Sequence, residues 1–476
     1  VIPVYLTAKK MFNGDTTIAM VAALFYAFFA LLIMTTVFSN GTAYAFVGLL
    51  FAVMFYEITS AMAAADKAGI KGFRAPFTEK SVRRPVLIAA VLFAAIALSW
   101  NQFYLIVAFT VVGLVIGQLV NRVTEKDIAT MTVIIDLPLL FGLLVSAIYY
   151  VPMGLWDAVF SGPFCLGMFI GLMALFFAAT QKKSWVLMIP ITAAIAVAVA
   201  VLTYFFAGDI YTAMLHGNNL YTGQLMTDLT SSFSRTSISE MAAYFGWLTV
   251  WFPLFLGVWM LYKYRKHGGT MLYSFTAFSM LVLFFAAWFS SDCAIIASIV
   301  FAVGTAALLV KIFRAVDLKS YFASMRGNGV KAGAKKSLQF MPLVTVLTAV
   351  LLIAVPNAVM AADAATPTNS EHADYFGGLG YTIETTDANI ISSMWDSYSS
   401  ADKTGAIVTW FGHSNDAVYK GGFNSVTDVN GGGSAMASAM LLASSGADAT
   451  AVMITRLLLA NDIASFQTAI TAAGLD

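Results

Sequence analysis

The sequence predicts a polytopic α-helical membrane protein followed by the start of an external α/β domain. Composition is the first reason: 60% of the 476 residues are hydrophobic and 11% charged, with a mean hydropathy of +0.82. A soluble globule of that make-up would leave far too much apolar surface in water. The second reason is that windows of about 20 apolar residues, long enough to cross a bilayer, recur eleven times. The third is that 22 of the 26 basic residues fall in alternate connections between those windows, the bias that orients a helical bundle.

The windows run over residues 17–36, 42–63, 85–99, 102–120, 131–151, 158–179, 185–207, 245–262, 271–289, 293–313 and 340–361. Each implies a helix, because only helices or closed barrels satisfy their backbone in lipid, and nothing alternates like a barrel strand. The basic connections include Lys9 and Lys10, six residues between 66 and 84, Arg122 and Lys126, Lys182 and Lys183, and residues 263–266 and 311–336. That side is expected to be cytoplasmic, in a cell membrane. The other side holds Arg235, with Lys403, Lys420 and Arg456 in the tail. A net charge of +1 carries no signal for nucleic acid, and none is expected as a partner. Cys165 and Cys293 are too few and too separated for a disulfide framework or metal site, and read as small core residues.

Residues 1–361 therefore form a transmembrane domain with one long external loop, 208–244, and residues 362–476 an external soluble domain. A loop of such length without obvious structure is usually functional or disordered. In the tail, "AADAATPTNSEHAD" is linker-like, "ANIISSMWDSYSS" and "SAMASAMLLASS" fit helices, and "GAIVTW" and "NSVTDVNGGG" fit strands. The stretch "GAIVTWFGHSNDAV" reads as a buried strand ending in an exposed turn, where binding residues commonly sit. At residues 237–240, "SISE" fits a capping box, Ser237 standing three residues before Glu240.

The order of these parts resembles the catalytic subunit of oligosaccharyltransferase in its archaeal single-subunit form. "VIPVYLTAKKMFNGD" is similar to the family's cytoplasmic passage after its second membrane helix. "SRTSISEMAAYFG" carries Ser237, Ile238, Ser239 and Glu240 where the family has Ser-Val-Ser-Glu or Thr-Ile-x-Glu, at the end of its long fifth external loop. "GAIVTWFGHSNDAVYKGGFNSVTDVN" stands in the place of the Trp-Trp-Asp-Tyr-Gly signature, followed by Asp428 and Asn430. The family has thirteen spans, and the eleven windows match its third to thirteenth. On this resemblance the chain is expected to be a fragment or diverged paralogue, lacking the first two helices and cut short in its external domain.

The resemblance implies a GT-C-like fold and N-glycosylation: transfer of an oligosaccharide from a lipid-(pyro)phosphate carrier to Asn of an Asn-x-Ser/Thr acceptor protein. It implies a divalent cation, Mn2+ or Mg2+, held by carboxylates. Glu240 is the surviving carboxylate, expected to position metal and acceptor, with Ile238 lining the acceptor groove and Arg235 facing the donor. Ser39 and Asn40 replace the acids of the family's second motif, leaving Asn40 as a neutral ligand. The signature becomes Trp410, Phe411, Gly412, His413 and Ser414. It keeps an aromatic wall and loses the carboxylate that grips the acceptor hydroxyl. The family's Arg near the eleventh and twelfth helices is replaced by Asp292 in "AAWFSSDCAII". These departures point to an enzyme that is degenerate, or inactive as residues 1–476 stand.

Two further classes stay open on the residues alone. A non-catalytic relative would bind a lipid-linked glycan or a polypeptide. A secondary transporter would use Asp136 in "TVIIDLPLL" for ion coupling. Asp136 and Glu57 in "VMFYEITSA" would each cost roughly 3 kcal/mol at a helix centre unless paired, and Glu57, towards the cytoplasmic end, is expected to snorkel. Asp136, two residues before Pro138, is expected to fill a helix break or to hydrogen-bond inside the bundle. The charge bias itself is directly testable. Ser232→Cys, in a variant with no other cysteine, should react with an impermeant maleimide on intact cells, and labelling only after lysis would reverse the topology.

Overall fold

The computed structural model describes residues 1–36, 44–100, 103–123, 127–152, 162–208, 236–290, 292–316, 341–365, 406–408, 418, 422–426 and 434–460. The chain divides into two compact units, Val1–Leu215 with Ser232–Thr382, and His216–Ser231 with Ile383–Asp476.

The first unit is a helical bundle. Its elements are α1 (Ile2–Met11), α2 (Thr16–Phe28), α3 (Ala30–Thr36), α4 (Tyr44–Ala68), α5 (Ala75–Thr78), α6 (Lys80–Ser99), α7 (Phe103–Val123) and α8 (Ala129–Tyr150). They continue as α9 (Gly162–Ala179), α10 (Trp185–Phe206), α11 (Ile238–Phe245), α12 (Phe252–His267), α13 (Met271–Phe289) and α14 (Cys293–Ala315). The bundle closes with α15 (Met341–Ala349) and α16 (Val355–Ala365), joined by a π-helical turn at Val350–Ala354.

The described residues of all eleven apolar windows lie largely on helices. Among the described residues, eight helices are long and apolar enough to cross a membrane, or nine if one bent pair counts as a span. The smaller number has local causes. The first window breaks at Phe29 into α2 and α3, and the described apolar part of α9 is short. The eighth window is the second arm of a pair, α11 and Thr249–His267, bent by 103°.

Helix α14 is the axis: 94% of its apolar window is buried. Its sequence, "CAIIASIVFAVGTAALLVKIFRA", is dominated by small and β-branched residues. Lipid tails are as apolar as leucine, so close backbone approach rather than water exclusion drives such packing, and small residues permit it. Gly304 shows how close: a Cβ there would lie 3.2 Å from both Cα and N of Pro253 in α12. Helix α10 is the opposite case, with 6% of its window buried.

The basic end of the bundle is held by caps that cross between helices. The Asp66 carboxylate, at the end of α4, accepts the N–H groups of Met271 (2.9 Å) and Leu272 (2.7 Å) at the start of α13. Buried Arg122 donates to the carbonyls of Phe177 in the last turn of α9 and of Thr180 and Lys183 beyond it, at 2.7, 2.7 and 2.8 Å. The Gln181 side-chain oxygen accepts the first N–H groups of α8. Asp15 caps α2 through Thr17 and Ile18 and pairs with Arg314, whose guanidinium holds the carboxyl below its usual range. Backbone groups at helix ends have no partner in their own helix, so these bonds satisfy them and fix how the helices meet.

In the second unit, β1 (Ala406–Ile407) pairs in parallel with β2 (Asn424–Ser425), and Phe423 packs on Ile407. Two helices follow, α17 (Ser434–Leu441) and α18 (Gly446–Ala460). The strands lie in "GAIVTW" and "NSVTDVNGGG" and α17 lies in "SAMASAMLLASS"; the first expected tail helix lies outside the described residues.

Asp136 departs from expectation. Helix α8 runs through Pro138 without a break, and Asp136 is wholly buried with neither carboxylate oxygen hydrogen-bonded. Small Gly171 faces it, where a Cβ would sit 2.9 Å from Oδ1. Glu57 is half-buried and feels the charges of Arg84 and Lys10.

The Gly304 contact yields a prediction. Gly304→Leu would drive a side chain into the Pro253 backbone, an overpacking that costs about 1–3 kcal/mol. The thermal unfolding midpoint in detergent should fall by several degrees, and an unchanged midpoint would mean that α12 and α14 do not meet there.

Candidate functional site

Glu240 sits in the first turn of α11, and the capping box read from the sequence is formed. Ser237 N donates to Glu240 Oε2 at 2.6 Å, and Glu240 N donates to Ser237 Oγ at 3.1 Å. The cap uses one carboxylate oxygen. The side chain is exposed, and Oε1 takes no hydrogen bond from a described residue, so it is open to a ligand. Ile238 is 43% exposed beside it, and Trp247 and Leu248 just beyond the helix are exposed too.

This eight-residue helix is too short to be stable alone, so tertiary contacts must place it. Phe245 is fully buried, stacked on Phe301 of α14 at 4.0 Å between ring centroids and edge-on to Phe29 at 5.2 Å. The break at Phe29 supplies that third ring. Ahead of the helix, Thr236 N donates to the carbonyl of Trp288 near the end of α13, at 3.1 Å. Behind it, Gly246 has φ +90°, and a Cβ there would lie 2.6 Å from Asn357 Nδ2 and 2.7 Å from Thr249 Oγ1. A positive φ and lack of space both call for glycine, and this residue starts the 103° bend.

The same end of the bundle holds a second carboxylate. Asp292 immediately precedes α14, and its Oδ1 accepts the Tyr44 hydroxyl at 2.6 Å from the start of α4. The Tyr44 ring lies edge-on to Trp100. Tyr244 lies within electrostatic reach of both Glu240 and Asp292. Glu240, Tyr244, Asp292 and Tyr44 thus gather at the end opposite the basic caps. Tyr44 and Tyr244 were not singled out from sequence. The available signal was a phenol in an apolar run, since a buried Tyr hydroxyl usually finds a partner.

Such a set can accept hydrogen bonds from an amide, through Glu240 Oε1, and can orient a polar group between phenol and carboxylate. It does not by itself fit a divalent cation. Mg2+ demands near-octahedral oxygen coordination and Mn2+ also favours an octahedral oxygen set. Among the described residues no three His, Cys, Asp or Glu side chains converge. Asn40, Arg235, Trp410, Phe411, Gly412, His413 and Ser414 lie outside the described residues.

No family model and no curated protein sequence matches the chain. Solved structures do. An archaeal oligosaccharyltransferase, AglB from Archaeoglobus fulgidus, in complex with an inhibitory peptide and a dolichol-phosphate, aligns over 95% of this chain with a TM-score of 0.59 and 14% identity. The A. fulgidus oligosaccharyltransferase in the apo form, and tethered to an acceptor peptide containing the NVT sequon, each align over 95% with a TM-score of 0.56 and 16% identity. The chain spans 55–56% of the length of these proteins. At such identities the likeness speaks for the fold: this chain is built on the membrane fold of the archaeal oligosaccharyltransferases.

Proposed function

We propose that the protein acts in N-glycosylation, transferring an oligosaccharide from a lipid-(pyro)phosphate carrier to Asn of Asn-x-Ser/Thr acceptors. The observation that carries this reading is the placement of Glu240. It caps a short helix at a sharp bend, on a fold that in A. fulgidus has been captured with a dolichol-phosphate and with peptides, and it keeps Oε1 open. In the proposed site Glu240 Oε1 accepts a hydrogen bond from the acceptor side-chain amide, and exposed Ile238 lines the approach. Trp410 and Phe411 wall the acceptor, and Arg235 faces the donor phosphate. Glu240 and Asn40 are the proposed ligands of Mn2+ or Mg2+, which needs oxygens beyond those two. The protein is placed in the cell membrane, with residues 362–476 on the extracytoplasmic side, in keeping with the charge bias of its connections.

A second reading rests on the carboxylate count. Among the described residues no three His, Cys, Asp or Glu side chains converge, so a non-catalytic relative that binds lipid-linked glycan or polypeptide fits the same geometry, and glycopeptide formation from a lipid-linked donor separates the two. The buried, unpartnered Asp136 supports a transporter on one observation only.

The acceptor arm gives the sharpest test. Gly412 offers no carboxylate to the Ser/Thr hydroxyl, so an Asn-x-Thr peptide should bind weakly. A hydrogen bond to a charged acceptor contributes about 1.5–3 kcal/mol, so Gly412→Asp should tighten binding roughly ten-fold or more. An Asn-x-Val peptide should gain nothing. Equal binding of the two peptides by both proteins would remove the acceptor site.

A further inference from the structure

Far from Glu240, the other arm of the bend ends in an arrangement that the function above does not use. Along α12, Phe255, Val258, Trp259 and Tyr262 are 60%, 53%, 41% and 61% exposed, an apolar stripe turned away from the bundle. At its end the Lys263 ammonium lies 4.2 Å from the centroid of the Trp259 ring, and Lys311 of α14 reaches the same ring at 4.0 Å. Lys266 stands over Tyr262 one turn away.

Two like charges on one indole repel, and the charge of Lys263 acts directly on Lys311. The ring attracts each ammonium but neutralises neither. No carboxylate answers them: among the described residues the one ion pair is Arg314–Asp15, and that acid is already engaged. Among the described residues nothing supplies an anion at the level of the ring. The exposed stripe says in what form it arrives, because Phe255 to Lys263 is about 12 Å along the helix, an apolar lane leading to a cationic end. Tryptophan at such a boundary, with lysines reaching past it, is the side-chain chemistry of a lipid headgroup layer.

We propose that Lys263, Lys311 and Trp259 bind the phosphate of one anionic phospholipid, whose acyl chain lies along Phe255 and Val258. The assignment goes beyond the proposed function and does not depend on it. The site would tie α12 to α14 through a lipid, beyond their contact at Pro253 and Gly304.

The test uses the full chain, delipidated in detergent and titrated in native mass spectrometry with phosphatidylglycerol, phosphatidylcholine or inorganic phosphate. One phosphatidylglycerol should bind in clear preference to phosphatidylcholine, and inorganic phosphate at equal concentration should not displace it. Losing one lysine should weaken binding roughly five-fold and losing both about thirty-fold, from the usual contribution of a basic residue near an anionic surface. Lys263→Gln with Lys311→Gln reads the pair, and Lys263→Gln alone, at an exposed position, reads it where the double variant does not fold. Unchanged phosphatidylglycerol binding in either variant would overturn the proposal. So would equal binding of phosphatidylcholine, and displacement by inorganic phosphate would make this a free-anion site.

Discussion

Helix α14 can be surrounded on every side only because its small residues let neighbouring backbones close onto it, and the candidate site hangs from that packing. Its first turn follows Asp292, which anchors Tyr44. Its middle presents Phe301, on which Phe245 stacks to hold α11, and Gly304, against which Pro253 starts α12. Its last turn offers Arg314 to the cap of α2. One helix therefore sets both arms of the bend, the second carboxylate and the join to α2. Bulk added along it would disturb several contacts together, because contacting residues do not respond independently.

The start of α11 explains how a carboxylate can be both structural and available. The first N–H groups of any helix have no acceptor within it. At Ile238 the Ser237–Glu240 box supplies what is missing. The helix dipole favours an acid in that first turn, so local stability and the presentation of Oε1 pull in the same direction. Asp136 is the contrasting acid, buried without a hydrogen bond among the described residues.

Much of this was legible in the sequence because it depends on local pattern. Apolar runs located the long apolar helices of the bundle but not α1 or α5, and the spacing of Ser237 and Glu240 gave the cap. The breaks were not legible. Phe29 lies in an unbroken apolar run with no glycine or proline at the break, and only its place between Phe25 and Phe245 accounts for it. Gly246 is an ordinary glycine in sequence, and the lack of room for a side chain there comes from Asn357, more than a hundred residues away. The Tyr44–Asp292 bond likewise joins residues 248 apart. The expectation for Asp136 erred because proline in a helix was read as a break, whereas α8 passes through Pro138 intact.

The central claim is that Glu240 does more than cap a helix, and one substitution separates the two roles. Glutamine also completes a capping box, so Glu240→Gln should leave the unfolding temperature unchanged while removing the charge from the site. Titration of an Asn-x-Thr peptide by isothermal calorimetry should then show binding weakened about ten-fold or more, the usual worth of a hydrogen bond to a charged group. Unchanged peptide affinity in Glu240→Gln, with the fold intact, would contradict the account and leave Glu240 as a cap alone.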